Sequence, residues 1–111
     1  VVQIESARAV QQVEEIAALD GVDVLFVGPR DLSHDLGVPG DVQAPSYLEA
    51  LDRVRSAAEQ FGKSCGLLVP SGAAAAEKRA QGWTFVAVGS DSTLLATALT
   101  AELGRIRTNA R

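Results

Sequence analysis

The chain has 111 residues, 47% hydrophobic and 22% charged, with a formal net charge of −4 and a pI near 4.8. Those figures suit one globular domain or a piece of a larger one, and an acidic chain lacks the basic stripe that a nucleic-acid footprint needs. A single cysteine, Cys65, and a single histidine, His34, exclude an intrachain disulfide framework, a cysteine-based zinc cluster and most His-rich metal sites. There is no run of about eighteen apolar residues and no basic segment leading into an apolar one. The expectation is therefore a cytoplasmic protein with neither a membrane nor a nucleic acid as partner. The opening Val1-Val2-Gln3-Ile4, without an initiator methionine, suggests a fragment.

Along the chain, short apolar runs alternate with helical patterns. Val1–Ile4 reads as a strand, followed by Val10, Val13 and Ala17 at helical spacing up to a stop at Asp20-Gly21. Val24–Val27 is a second strand. The connection from Asp31 to Pro45, holding Gly37, Pro39, Gly40 and Pro45, reads as a functional loop or a local lid. Ser46 and Glu49 suggest a capping box opening a helix whose stripe is Tyr47, Leu51, Val54, Ala58 and Phe61, ending at Gly62. Gly66–Val69 is a third strand, Gly72 to Gln81 an alanine-rich helix, and Phe85–Val88 a fourth strand. The last helix starts at Ser90-Asp91 and carries Leu95, Leu99, Leu103 and Ile106 on one face. The strands read as near-continuous apolar runs, as strands covered on both faces do.

A β-α-β-α-β-α-β-α order with short connections implies parallel strands joined by crossovers. Two architectures fit. One is a small doubly wound sheet of the flavodoxin type; the other is half of a (β/α)₈ barrel, whose full length is about 250 residues. Periodicity does not choose between them.

In either architecture ligands bind at the carboxyl ends of the strands. There the sequence places Glu5-Ser6, Gly28-Pro29-Arg30-Asp31, Pro70-Ser71 and Gly89-Ser90-Asp91. Glu5 and Asp31 leave consecutive strands at one edge, and neighbouring strands lie about 4.8 Å apart. Two carboxylates without a nearby His or Cys suit a hard divalent cation that keeps positions open for water and substrate oxygens. The plainer alternatives are a first-turn helix acid for Glu5 and a turn cap for Asp31. Gln3 is an amide in an apolar strand, on the same side as Glu5; on a barrel lumen it would be buried and need partners. Gly89-Ser90-Asp91 reads as a helix cap before it reads as an anion site. His34 reads as a surface histidine, Cys65 as a small core residue and Trp83 as packing.

Taken together, these segments resemble a known family. Val2-Gln3-Ile4-Glu5-Ser6, Gly21-Val22-Asp23, Phe26-Val27-Gly28-Pro29-Arg30-Asp31-Leu32-Ser33, Leu36-Gly37, Gly66-Leu67-Leu68 and Phe85-Val86-Ala87-Val88-Gly89-Ser90-Asp91 resemble the C-terminal half of the HpcH/HpaI aldolases, in the same order. These are metal-dependent class II pyruvate aldolases, such as 4-hydroxy-2-oxoheptanedioate aldolase and 2-dehydro-3-deoxyglucarate aldolase. The resemblance implies that residues 1–111 are a partial α/β domain, the last four βα units of a (β/α)₈ barrel, with the N-terminal half absent. It implies that Glu5 and Asp31 bind a divalent metal, Mg²⁺ or Mn²⁺, with Co²⁺ a further candidate. It places Gln3, Leu68 and the backbone at Arg30 and Asp31 around the pyruvate unit of the substrate. The family's catalytic histidine and its pyruvate-binding arginine belong to the N-terminal half, so His34 is not the catalytic histidine.

The implied activity of the intact protein, an oligomer, is carbon–carbon lysis of a 4-hydroxy-2-oxo acid to pyruvate and an aldehyde. The chain alone is expected to be inactive and to self-associate, through open edges at Val1–Ile4 and Phe85–Val88 and through inward apolar residues such as Val2, Ile4, Val86 and Val88. One rival keeps the barrel but is a citrate lyase β-chain-like or citrate-synthesising relative acting on a CoA thioester. Another is a non-catalytic flavodoxin-like binding module without a divalent site.

Overall fold

Short runs dominated by Val, Leu, Ile and Phe favour extended backbone, and here they pair into one parallel sheet. The computed structural model describes residues 1–108. The elements are β1 (Val2–Ile4), α1 (Ala7–Gln11), α2 (Val13–Ala17), β2 (Val24–Val27), α3 (Pro29–Asp35), α4 (Pro45–Gln60), β3 (Ser64–Val69), α5 (Gly72–Ala80), β4 (Phe85–Val88) and α6 (Asp91–Thr108). The strands lie side by side in chain order, β1-β2-β3-β4. Ile4 is opposite Val27, Val27 opposite Leu67 and Leu67 opposite Val86, all in parallel register. A doubly wound sheet would instead set a later strand on the far side of β1. The order is that of four consecutive units of a (β/α)₈ barrel.

Alternation along each strand separates two faces. Ile4, Leu25, Val27, Leu67 and Val69 are buried beneath the helices, where α4 contributes Tyr47, Ala50, Leu51, Val54, Ala57 and Ala58. The opposite face, the barrel lumen, carries Gln3, Phe26, Gly66 and Phe85 in one row. This corrects the inward assignment of Val2, Ile4, Val86 and Val88. All four belong to the helix-covered face, and Ile4 is 1% exposed. Val88 is uncovered for another reason. The helix that follows it does not fold back, and residues 91–107 of α6 are all exposed. The apolar stripe Leu95, Leu99, Leu103 and Ile106 consequently faces outward. The molecule measures 60 × 27 × 22 Å, with a radius of gyration of 16.9 Å against about 13 Å for a compact chain of this length. Among the described residues no helix is long and apolar enough to cross a membrane.

Three local expectations change. The first helical segment is broken at Gln12 (φ −102°, ψ 12°) into α1 and α2. Arg53 of α4 occupies the break, donating to the Gln11 carbonyl at 2.9 Å and to both oxygens of Glu14. The Arg53 guanidinium holds the Glu14 carboxyl below its ordinary range. The Ser46–Glu49 capping box is not formed; Ala44 precedes the helix and Pro45 opens it. Proline's fixed φ suits the first helical position, where its missing N–H costs nothing, and the helix therefore starts ahead of Ser46. The 31–45 connection is not structureless. Its first part is α3, and buried Ser33 secures the rest, donating to the Arg30 carbonyl at 2.8 Å and accepting the Gly40 N–H at 3.0 Å.

Leu32, fully buried on α3, and Leu99, exposed on α6, make opposite predictions. Leu32→Ala is expected to lower stability by about 2–5 kcal/mol in urea unfolding of the dilute chain. Leu99→Ala is expected to stay within about 0.5 kcal/mol of the parent. A large loss from Leu99→Ala would mean that α6 is packed in solution.

Candidate functional site

The carboxyl ends of β1 and β2 build the site. β1 ends at Ile4, and Ser6 then caps α1, its Oγ accepting the Ala9 N–H at 3.1 Å. Glu5 lies between strand and cap, outside the helix, so it is not a first-turn acid. On the neighbouring strand the chain leaves β2 at Val27 and enters α3 through Gly28 and Pro29. Asp31 occupies the first turn of α3, whose capping position is Gly28. Asp31 is therefore free of the capping role that a turn aspartate often takes.

Extending the register by one residue sets Glu5, Gly28, Leu68 and Ala87 in one lumenal layer, directly above the layer of Gln3. The Gly28 N–H still reaches the Ile4 carbonyl at 3.3 Å, which continues the ladder to that point. Within this layer the Glu5 side chain lies over Gly28. A Cβ at position 28 would stand 2.5 Å from Glu5 Oε1 and 2.8 Å from its Cγ. Gly28 has an ordinary φ of −86°, so glycine serves here as space and not as backbone freedom.

Glu5, Arg30, Asp31, His34 and Asp35 line one open cleft of about 580 Å³. Gln3 and Leu68 face the same side of the sheet, but neither is on the wall of that cleft. Gln3 is exposed instead of buried, because the lumenal face of the described residues is open. Leu68 stands two strands away from Glu5 and is 42% exposed. Arg30 is exposed and forms no ion pair among the described residues. His34 is exposed, as expected of a surface histidine, yet it borders the cleft.

Asp35 was not anticipated from the sequence. Its Oδ2 accepts the Ala7 N–H at 2.7 Å, tying the end of α3 to the start of α1. The available signal was its spacing, since Asp31 and Asp35 are four apart on a helix and share a face. Elsewhere, Ser90 caps α6, its Oγ accepting the Thr93 N–H at 3.2 Å, in keeping with the cap reading. Cys65 and Trp83 are core residues, and burial pushes the Cys65 thiol up from its ordinary range.

Among the described residues no three or more His, Cys, Asp or Glu side chains converge as a closed metal cage. Two carboxylates on an open cleft instead fit a hard cation that completes its shell with water and substrate oxygens.

A sequence profile described as HpcH/HpaI aldolase/citrate lyase matches residues 1–98. The chain belongs to this family. It is 45% identical over 107 residues to the hydroxypyruvate/pyruvate aldolase of Delftia acidovorans, covering 96% of this chain and 40% of that protein. It is 46% identical over 91 residues to the 5-keto-4-deoxy-D-glucarate aldolase of Salmonella paratyphi C, covering 82% of this chain and 36% of that protein. A crystal structure of an HpcH/HpaI aldolase/citrate lyase family protein from Burkholderia cenocepacia superposes with a TM-score of 0.92 at 42% identity, over 96% of this chain and 41% of that one. The chain thus spans about two-fifths of the length of the family members it matches.

The Glu5–Gly28 contact in this family member can be tested directly. Gly28→Ala is expected to push the Glu5 side chain out of the cleft, with a stability loss of about 1 kcal/mol. In a Glu5→Ala background the same substitution should cost almost nothing. A double-mutant cycle by chemical denaturation measures the difference, and additive effects would remove the contact from consideration.

Proposed function

We propose that this chain supplies the metal-binding half of a class II pyruvate aldolase, acting on a 4-hydroxy-2-oxo acid to give pyruvate and an aldehyde. The observation that carries the reading is the shared cleft of Glu5 and Asp31 at the carboxyl edge of a family barrel, with Gly28 clearing the space between their strands. Residues 1–111 form one half of the barrel domain in this reading. The catalytic histidine and carboxylate-binding arginine implied by the resemblance come from the other half.

Each residue then has a role set by its chemistry. Glu5 and Asp31 place two negative charges on one side of the cleft and hold a divalent cation, Mg²⁺ or Mn²⁺, with Co²⁺ a further candidate. When bound, the cation supplies Lewis acidity that stabilises the enolate charge left as the C3–C4 bond breaks. The backbone N–H groups of Arg30 and Asp31, in the first turn of α3, have no intrahelical acceptor and face the substrate carboxylate. Gln3, one layer below Glu5, offers an amide donor towards the oxo-acid, and Leu68 presents methyl groups to its apolar side. In the cleavage direction the 4-hydroxyl gives up its proton, the C3–C4 pair passes to the pyruvate portion, and C3 takes a proton as the enolate collapses. The resemblance implies a histidine outside this chain as the base for the 4-hydroxyl. That proton transfer is assigned to the other half of the barrel.

Two measurements test the reading. Glu5→Gln and Asp31→Asn should each weaken Mn²⁺ binding by the 111-residue chain by about tenfold or more, a loss of one charged ligand from two. Pyruvate release from a 4-hydroxy-2-oxo acid with saturating Mn²⁺ should stay at background for the chain alone. It should appear when the complementary half-barrel is co-produced, and vanish with chelator or with either substitution. Full turnover by the isolated monomeric chain, or undiminished turnover in either variant, would refute the assignment.

A further inference from the structure

We infer that Asp35 is a positioning residue for the metal centre, locking the turn that carries Glu5 to the helix that carries Asp31. The inference rests on the reading that these two carboxylates hold the cation.

The Glu5 carboxylate has no hydrogen-bond partner among the described residues, so its place depends on the backbone on either side of it. On the strand side, the ladder bond from the Gly28 N–H to the Ile4 carbonyl (3.3 Å) fixes the end of β1 to the start of α3. On the helix side, Ala7 is the first residue of α1, and its N–H is one of the donors that an α-helix cannot satisfy from within. Asp35 satisfies it, from 28 residues further along the chain.

These two bonds close a small ring. From Ile4 the chain runs through Glu5 and Ser6 to Ala7, crosses to Asp35, returns along α3 past Asp31 to Gly28, and crosses back to Ile4. Both proposed ligands lie on this ring, one on each arm. The α3 arm is stiff, because Leu32 and Ser33 are fully buried and Ser33 is bonded on both its hydroxyl roles. Removing the Asp35 tie leaves the Glu5 arm held to α1 by the Ser6 cap but no longer bonded to α3 at that end, while Asp31 stays anchored. Hydrogen-bond partners of metal ligands commonly change metal affinity by about 10–100-fold when lost. Asp35 acts one step further out, on the backbone two residues from Glu5, which sets the low end of that range as the expectation.

Charge and position can be separated. Asp35→Asn keeps a carbonyl oxygen for the Ala7 N–H and removes the negative charge; Asp35→Ala removes both. With the 111-residue chain, Mn²⁺ is titrated by electron paramagnetic resonance, and Ala7 amide exchange is followed by NMR. The expected result is Mn²⁺ binding about tenfold weaker in Asp35→Ala with Ala7 exchange at least about tenfold faster, and both within about threefold of the parent in Asp35→Asn. Parent-like binding in Asp35→Ala would overturn the inference. So would equal losses in the two variants, which would make Asp35 a ligand or a simple charge. If the parent chain binds no Mn²⁺ through Glu5 and Asp31, the metal reading itself fails. The role of Asp35 for a metal centre falls with it, and Ala7 exchange and the Glu5 resonances in Asp35→Ala then decide only the tie itself: faster exchange with shifted Glu5 signals shows that it holds the Glu5 turn to α3, and unchanged spectra show that it does not.

Discussion

The site depends on a side chain that is not there. Parallel strands bring consecutive βα turns within about 5 Å of each other, close enough for two carboxylates to share a ligand but also close enough for their neighbours to collide. Glu5 and residue 28 fall in the same lumenal layer, and Glu5 leans over the strand beside it. Any Cβ there would meet the Glu5 carboxylate inside van der Waals contact. Glycine at position 28 lets the Glu5 side chain lie across the neighbouring strand, on the cleft that it shares with Asp31.

Polar bonds around the cleft do structural work of a kind that the apolar core does not. The core, from Ile4 through Val27 and Leu67 to Val54 of α4, fixes which face of the sheet looks outward. It leaves undetermined how each turn leaves its strand. That is settled by a few hydrogen bonds: Ser6 at the start of α1, Ser33 from within α3 to the turn that follows it, and Asp35 between α3 and α1. Each satisfies a backbone group that would otherwise depend on solvent, and each restricts a segment with few buried apolar contacts of its own.

Much of this was legible in the sequence, for identifiable reasons. The four strands announce themselves as β-branched or leucine-rich runs between turn residues, and their alternation with helices implies parallel order. Choosing a barrel over a doubly wound sheet took the resemblance, since both give the same periodicity. Glu5 and Asp31 were legible as neighbours because Glu5 follows β1 directly and Asp31 lies in the first turn after the adjacent strand β2. What was not legible is long-range or competitive. The break at Gln12 is held by Arg53, some forty residues later, and the bond from Ala7 to Asp35 has no local sequence signature. The Ser46–Glu49 pattern was a sound local signal that lost to Pro45, whose ring geometry starts the helix sooner. α3 was hidden in a stretch rich in glycine and proline, because its seven residues are too few to show a periodic stripe.

A second glycine has a quieter effect. Gly66 on β3 sits in the layer below the cleft, where a Cβ would lie 2.6 Å from the Phe85 carbonyl and 2.8 Å from the Phe26 ring. The gap lets Phe26 of β2 and Phe85 of β4 meet edge to face, with centroids 6.0 Å apart, across a strand that separates them. Edge strands ordinarily fray first and alone, being bonded on one side only. Here β4 is latched by an aromatic ring to the strand that leads into Asp31. Fraying of β4 therefore costs that ring contact, about 0.5–1.5 kcal/mol, in addition to its ladder with β3. The edge thereby opens less readily than a strand held by its ladder alone.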